Sequence, residues 1–193
     1  MKDYSRPTIY GKGCLGVDWK TSYVNERSFL IWKNMLKRCY SERESAKAKA
    51  YLECEVSDVF KNYSLFKLWF DKNYVEGWEL DKDILSNGDK VYSPNNCCFI
   101  PKEVNLAVGK RTQYRGDYLI GVGYKPLRKQ YRARCNMYGV NKHLGWFNTE
   151  IEAFYVYKEA KETYIKEVAN KWKDQIDPRV YEALMKYEVE ITD

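Results

Sequence analysis

The sequence predicts a mixed α+β fold divided into two small modules. Two stretches of the amino-terminal half place apolar residues at helical spacing, and one stretch of the carboxyl-terminal half alternates strictly between apolar and polar residues, as a half-buried strand does. The length of 193 residues suits two modules, because a typical domain holds about 100 to 150 residues. The predicted bounds are 1–109 for the first module, 110–116 for a basic linker, 117–169 for the second module and 170–193 for a helical extension.

The first module opens with two predicted amphipathic helices. Residues 27–40 and 58–70 each carry an aromatic-rich stripe at helical spacing, which favours a helix packed against a core. Ser57 or Asp58 would cap the second helix. The polar stretch 41–50 either extends the first helix or forms an exposed connection, and the residues leave both alternatives open.

A strand, a turn, a second strand and a short helix are predicted next. The first strand leads into Asp81 and Asp83, and Asn87–Gly88 marks a turn because both residues tolerate positive φ. After the polar turn SPNN the chain returns as a strand over 97–100 and continues as a helix over 101–107. The first module therefore ends in a compact β-turn-β-helix unit.

The second module is predicted to be a three-stranded antiparallel sheet covered by one helix. The strands are placed at 118–124, 130–137 and 142–147, with a turn around Gly139 before the third. The central strand has one apolar face and one cationic face. The apolar face comprises Tyr131, Ala133, Cys135 and Met137, and the opposite face comprises Gln130, Arg132, Arg134 and Asn136.

The helices of the second half have clear start signals. Thr149 and Glu152 have the spacing of a capping box, in which the two side chains satisfy backbone amides at a helix start. The helix that follows carries an apolar stripe that would cover the sheet. Asp177–Pro178 combines an N-cap with a proline at the first helical position, which predicts a short terminal helix ending near Tyr187.

Positive charge is concentrated in one part of the chain. Residues 102–142 contain ten Lys or Arg against two acids, a net charge of +8, so that the remainder of a chain with net charge +6 sums to −2. Such a field attracts a polyanion and releases counterions on binding, which makes nucleic acid the first partner to consider. The alternative is a basic face that is simply solvated.

The polar face of the predicted sheet carries side chains that suit duplex DNA. A narrow sheet can enter the major groove, where Arg matches guanine and Asn or Gln matches adenine, while flanking cations contact phosphates. For the arginines the alternative is a solvated strand or internal salt bridges. The predicted DNA-binding residues are Lys125, Arg128, Lys129, Gln130, Arg132, Arg134, Asn136, Lys142 and Trp146.

The segment GVGYKPLRKQYRARCNMYGVNKHLGWFNTEIEAFYVYKEA resembles the AP2 DNA-binding module. The resemblance rests on the arginine-bearing strand, the HLGWF strand, the Thr-x-x-Glu cap and the alanine-bearing helix. It implies double-stranded DNA as the partner, contacted by Arg132, Arg134 and Trp146. Strict alternation would place Lys142, Leu144 and Trp146 on one face and His143, Gly145 and Phe147 on the other. Trp146 then lies either in the core or on the exposed side, which we favour.

The first half resembles bacteriophage HNH-type homing endonucleases, many of which append an AP2-like module. The resemblance is carried by WKNMLKRCY, by LDKDILSNGDKVYSPNNCCFIP and by the following Asn105. It implies an HNH-like module with a ββα-metal fold, an infected bacterial host and a divalent cation, Mg²⁺ or Mn²⁺, if the chain is catalytic. By position it implies metal ligands at Asp81, Asp83 and Asn105, and catalytic roles for Asp81, Lys82, Asp83 and Asn96.

The general-base histidine of that family has no counterpart at the expected place. The only histidine, His143, lies in the predicted third strand of the second module, and Lys82 or Asp83 occupies the neighbourhood instead. Three outcomes stay open: a nuclease with altered chemistry, a slow nicking enzyme, or a scaffold that only binds. Asp81, Asp83 and Asn96 are also ordinary turn residues, which bond nearby amides without any metal.

Other classes of protein fit the sequence less well. No apolar run suits a membrane span or a secretory signal, so we expect a cytoplasmic protein with no membrane partner. The cysteines include no CxxC pair, and a zinc site from Cys39, Cys54 and Cys97 would lack an evident fourth ligand.

The competing functions are a metal-dependent endonuclease, a noncatalytic DNA-binding regulator, and a phage protein that targets an acidic surface of a host protein. The oligomeric state is left open.

Overall fold

The computed structural model describes residues 3–17, 23–24, 26–41, 53–86, 88–109 and 117–193. It contains 43% helix and 20% strand in small sheets, which confirms the α+β class. The chain forms two compact units, Met1–Ile100 and Pro101–Asp193. The expected linker 110–116, most of the stretch 41–50 and Asn87 of the predicted turn lie outside the described residues.

Within the described residues, the first unit contains the helices α1 (Arg27–Tyr40), α2 (Asp58–Lys61) and α3 (Tyr63–Asn73). The first matches its prediction. The single helix predicted over 58–70 is wrong, because the chain breaks at Asn62, whose side chain accepts hydrogen bonds from the amides of Ser64 and Leu65 and so caps α3. Ser57 caps α2 as expected.

An aromatic core holds these helices together. The ring of Trp32 lies 5.3 Å from that of Tyr63 and 5.6 Å from that of Phe29. Its indole Nε1 donates a hydrogen bond of 2.6 Å to the carbonyl of Phe60, so the polar end of this buried side chain is satisfied. The aromatic stripes of the sequence therefore serve packing.

Two pairs of short strands complete the first unit. Strand β1 (Glu55–Val56) pairs in parallel with β3 (Val91–Tyr92), a pairing that the sequence did not predict. Strand β2 (Glu79–Asp81) pairs antiparallel with β4 (Cys98–Ile100). The β2–β4 pair agrees with the predicted β-turn-β arrangement and places Asp81 opposite Cys98.

The second unit begins with α4 (Lys102–Val108), the helix expected to end the first module. Glu103 explains where α4 packs, because its carboxylate accepts hydrogen bonds from Lys171 Nζ (2.6 Å) and Trp172 Nε1 (2.8 Å) of the long helix described next. The boundary between the units thus falls before the predicted linker.

The sheet of the second unit comprises β5 (Val122–Lys125), β6 (Gln130–Met137) and β7 (Val140–Phe147), antiparallel in that order. Helix α5 (Glu150–Trp172) covers it, and α6 (Pro178–Met185) follows. Both halves of the Thr149–Glu152 capping box are formed, at 3.0 and 3.2 Å. Asp177 caps α6 as predicted. None of the helices in the described parts of the chain has the length and apolar character needed to cross a membrane.

Candidate nucleic-acid interface

A β-bulge decides which side chains share a face of the sheet. The register of β6 and β7 shifts between Ala133 and Arg134, so that Arg132 lies opposite Trp146 whereas Arg134 lies opposite His143. Directly opposed residues of antiparallel strands project to the same face. The strict alternation predicted for the third strand is therefore wrong, because the extra residue places both His143 and Trp146 on the arginine side.

The face opposite helix α5 is open and mostly polar. The alternation of β6 is as predicted: Ala133 and Cys135 are buried toward the helix, and Arg134 and Asn136 are exposed. We call the open side the cationic face. It comprises Gly123, Lys125, Gln130, Arg132, Arg134, Asn136, Asn141, His143 and Trp146.

Trp146 lies at the centre of a cluster of basic side chains. The guanidinium carbon of Arg128 lies 4.7 Å from the centre of the indole, and that of Arg132 lies 5.8 Å away. The ring of His143 lies 5.2 Å from the same indole. Cation–π contacts of this kind hold flexible arginines in place while their N–H groups stay available to a ligand.

The two arginines of β6 are not neutralised by acidic groups of the described residues. Neither Arg132 nor Arg134 forms an ion pair within the part of the chain that the structure describes. Burial, and then the charge of Arg132, lower the pKa of the Arg134 guanidinium from its ordinary value. The arginines thus raise each other's electrostatic energy, and an approaching anion would lower it.

The turn between β5 and β6 extends the cationic face at one end. Pro126–Arg128 form a single 3₁₀ turn, closed by a 3.1 Å hydrogen bond from the amide of Lys129 to the carbonyl of Pro126. Lys125, Arg128 and Lys129 are all exposed there. Lys142 is also exposed, but it lies opposite the buried Cys135 and so on the helix side of the sheet, away from the other predicted DNA-binding residues.

Asp81 caps a turn in the first unit. One of its carboxylate oxygens, Oδ1, accepts hydrogen bonds from the amides of Asp83 (3.0 Å) and Ile84 (2.9 Å). The residue is only 8% exposed, and burial raises the pKa of its carboxyl despite those two amides. This is the ordinary turn chemistry considered from the sequence.

Lys82 lies among groups that hold its ammonium in place. Its Nζ forms an ion pair with the Asp83 carboxylate and lies 5.6 Å from the centre of the Tyr92 ring. Lys82 is 6% exposed, whereas the side chain of Asp83 is largely exposed. The pKa of Lys82 is raised: burial is the largest single influence and lowers it, but the hydrogen bonds and charges of Asp83 and Cys54 together outweigh burial. A raised pKa keeps this lysine protonated, which disfavours it as a base.

Asn96, of the predicted catalytic set, and Asn105, a predicted metal ligand, lie in different units. Asn96 Nδ2 donates to the carboxylate of Asp89 (2.9 Å) and to the carbonyl of Val91 (3.1 Å), so it orders the loop before β4. Asn105 lies in α4 of the second unit, whereas Asp81 and Asp83 belong to the first.

The donor set of the first unit fits a divalent cation poorly. One oxygen of Asp81 already accepts two amides, and Asp83 is paired with an ammonium that would repel the metal. Across the residues whose positions are described, no three His, Cys, Asp or Glu side chains cluster in a way that could hold a metal. Burial raises the pKa of the Cys39 and Cys97 thiols to about 12 each, which opposes the thiolate form that zinc requires. All six cysteines lie within the described residues, and none of them forms a disulfide.

Sequence reasoning missed His143 and Asn141 as members of the cationic face. Both depend on the bulge, which cannot be derived from alternation alone. A signal was nevertheless present, because Gly145 interrupts the third strand and glycine within a strand often marks a bulge. Its φ of 148° is a conformation that other residues rarely adopt.

Comparison of the chain with protein-family models, with curated proteins and with solved structures found no match.

Proposed function

We propose that this protein binds double-stranded DNA through the cationic face of its second unit. One observation carries the proposal: Arg132, opposite Trp146, and Arg134, opposite His143, share the open side of the sheet and form no ion pair with any other described residue. Duplex DNA supplies both the phosphates that such a field attracts and the paired acceptors of guanine that a guanidinium matches.

The sheet is supported in a way that suits this role. The hydroxyl of Tyr164 in α5 accepts a 3.2 Å hydrogen bond from the amide of Tyr138 in the β6–β7 turn. Phe154 and Tyr157 of the same helix pack with Cys135 beneath the central strand. A sheet whose backbone is already rigid loses little backbone entropy on binding.

The three-stranded sheet with its covering helix is consistent with the AP2-like module suggested by the sequence, and we extend the proposal to that assignment. The relation of the first unit to the HNH-type endonucleases of bacteriophages is likewise proposed on sequence resemblance alone. We include no cleavage step, because Asp81 and the Lys82–Asp83 pair favour turn formation over metal chemistry.

The decisive experiment combines a double variant with a charge-matched control. Arg132→Ala/Arg134→Ala and Lys33→Ala/Lys186→Ala each remove two positive charges, and the lysines of the control are exposed and lie outside the cationic face. Binding to a long linear duplex of mixed sequence is followed by gel retardation over a series of salt concentrations. An arginine–guanine contact is worth about 1–3 kcal/mol, so the arginine variant should lose at least about thirtyfold in affinity. The lysine variant should stay close to the wild type.

The same assay separates the competing functions. Retardation that is equal with and without Mg²⁺, and that leaves the duplex intact, supports DNA binding without cleavage. Equal losses in the two double variants would show that the cationic face is not the binding surface. Weak retardation even at low salt would favour a protein partner, such as an acidic surface of a host protein, over DNA.

A further inference from the structure

One apolar side chain protrudes from the most basic part of the second unit. Leu127 is 94% exposed, the highest value among the large apolar side chains of the described residues. It occupies the middle of the 3₁₀ turn Pro126–Arg128, and its sequence neighbours Arg128 and Lys129 are exposed cations. Single exposed leucines are common on protein surfaces, so exposure alone does not indicate a role for Leu127. Its position within the fold does.

The turn presents Leu127 in a fixed direction. Pro126 restricts φ at the start of the turn, and the hydrogen bond from the Lys129 amide to the Pro126 carbonyl closes it. Lys129 completes the reversal with a φ of 53°. Because the backbone of the turn is already fixed, insertion of Leu127 into a partner costs little backbone entropy.

The turn also lies beside the cationic face. Arg128 reaches from it to the indole of Trp146 in β7, at 4.7 Å. A duplex seated on the cationic face would therefore pass close to Leu127, with its phosphates near Lys125 and Lys129. The charge of these neighbours favours a nucleic acid over an apolar protein groove as the occupant.

We infer that Leu127 is an apolar wedge that inserts at a base step of the bound duplex and bends it. The inference rests on the proposed function. Leucine is among the side chains that proteins insert between base pairs from the minor groove, where the cost of unstacking is repaid by wider contact with the bent duplex. Leu127, at the end of the sheet, would act in the minor groove next to the stretch of major groove that the cationic face reads. Pyrimidine–purine steps unstack most readily. The bound site should therefore carry such a step at the end that faces the β5–β6 turn.

The test measures unstacking directly. Permanganate oxidises thymines that have lost their stacking, so a long linear duplex of mixed sequence serves as the probe although the recognised site is unknown. The full chain is compared with Leu127→Ala, with Leu127→Phe as a conservative replacement, and with Leu68→Ala as the matched control. Leu68 is 61% exposed and belongs to the first unit, outside the cationic face.

The wild type, Leu127→Phe and Leu68→Ala should produce reactive thymines within the bound region. Leu127→Ala should lose that reactivity and about tenfold in affinity, as expected when one leucine is no longer buried. Unchanged affinity and reactivity in Leu127→Ala would overturn the wedge and leave the proposed function standing. Failure of the wild type to retard the duplex at low salt would overturn both.

Discussion

The guanidinium of Arg128, in the turn between β5 and β6, lies over the indole of Trp146 in the edge strand β7, 4.7 Å from the ring centre. Arg132, on the central strand β6, approaches the same ring at 5.8 Å. The tryptophan therefore orders two arginines at once. This makes it a positioning residue for the cationic face, in addition to any contact of its own with DNA.

Trp146→Ala should weaken DNA binding more than it weakens the fold. Each cation–π contact is worth about 0.5–1 kcal/mol at an exposed site, so the loss of two contacts should lower affinity about tenfold even when direct DNA contact is ignored. Trp146→Phe keeps an aromatic face and should recover part of that loss. The measurement is gel retardation beside urea unfolding of the same samples. A large drop in unfolding free energy with unchanged affinity would show that the indole serves only packing.

Lys125, at the end of β5, should contribute to DNA affinity through phosphate contacts alone. Lys125 is exposed beside the 3₁₀ turn, and removal of one phosphate contact lowers the slope of log affinity against log salt by about 1. Lys125→Ala should therefore flatten the salt dependence without changing sequence preference. The control is Lys33→Ala, which leaves the cationic face intact. Equal slopes for the two variants would place Lys125 outside the contact surface.

The features of the fold that the sequence predicts are those that depend on residues close together in the chain. Helix α1, the alternation of β6 and the caps at Thr149 and Asp177 depend on neighbouring residues, and the sequence predicted them. The helix break at Asn62 was not predicted, although it too depends on neighbouring residues, since asparagine is a strong N-cap.

The remaining features depend on contacts between distant residues. The register shift at Ala133 and Arg134 results from the pairing of two strands, and it decides on which face His143 and Lys142 lie. Helix α4 is held in the second unit by hydrogen bonds from Lys171 and Trp172 to Glu103, across sequence separations of 68 and 69 residues. Periodicity within one segment carries no information on such partners.

Asp81 should influence stability in a pH-dependent way. The folded protein holds its carboxyl pKa above the ordinary value of 3.8, chiefly through burial, so folding favours the protonated form. The stability that Asp81 contributes is complete below pH 3.8 and is lost as pH rises through the folded pKa. Asp81→Asn keeps the oxygen that accepts two amides but cannot ionise. Near neutral pH it should therefore unfold at a higher urea concentration than the wild type, and this advantage should vanish in acid.

The control for that prediction is Asp81→Ala, which removes the acceptor. Two part-buried amides would lose their partner, at a cost of about 0.5–1.5 kcal/mol at every pH. An Asp81→Asn variant that is less stable than the wild type near neutral pH would mean that the ionised carboxylate is required.

Mn²⁺ should not bind at Asp81 and Asp83. The ammonium of Lys82 is paired with Asp83 and repels a second cation at the same carboxylate. Calorimetric titration of the wild type with Mn²⁺ should give the same weak heat as titration of Asp83→Asn. Stoichiometric binding that is lost in Asp83→Asn would contradict this and would revive the endonuclease hypothesis.

Gly121 should be the least replaceable glycine of the sheet unit, because helix α5 approaches its backbone closely. A Cβ built at Gly121 would lie 2.1 Å from the Tyr157 ring, and φ is +76°, whereas Gly139 has a similar φ of +78° with nothing within 4 Å. A substitution at either position therefore carries the same cost of positive φ, and the two differ only in whether a Cβ has room. Gly139→Ala should cost about 1 kcal/mol, and Gly121→Ala about 1–3 kcal/mol more, since the ring of a buried tyrosine must move. Urea unfolding of both variants checks the difference, and equal losses would mean that Tyr157 can shift without cost.

Because the Tyr157 ring supports the strand that bears Arg132 and Arg134, Gly121→Ala should also reduce DNA affinity, whereas Gly139→Ala should not.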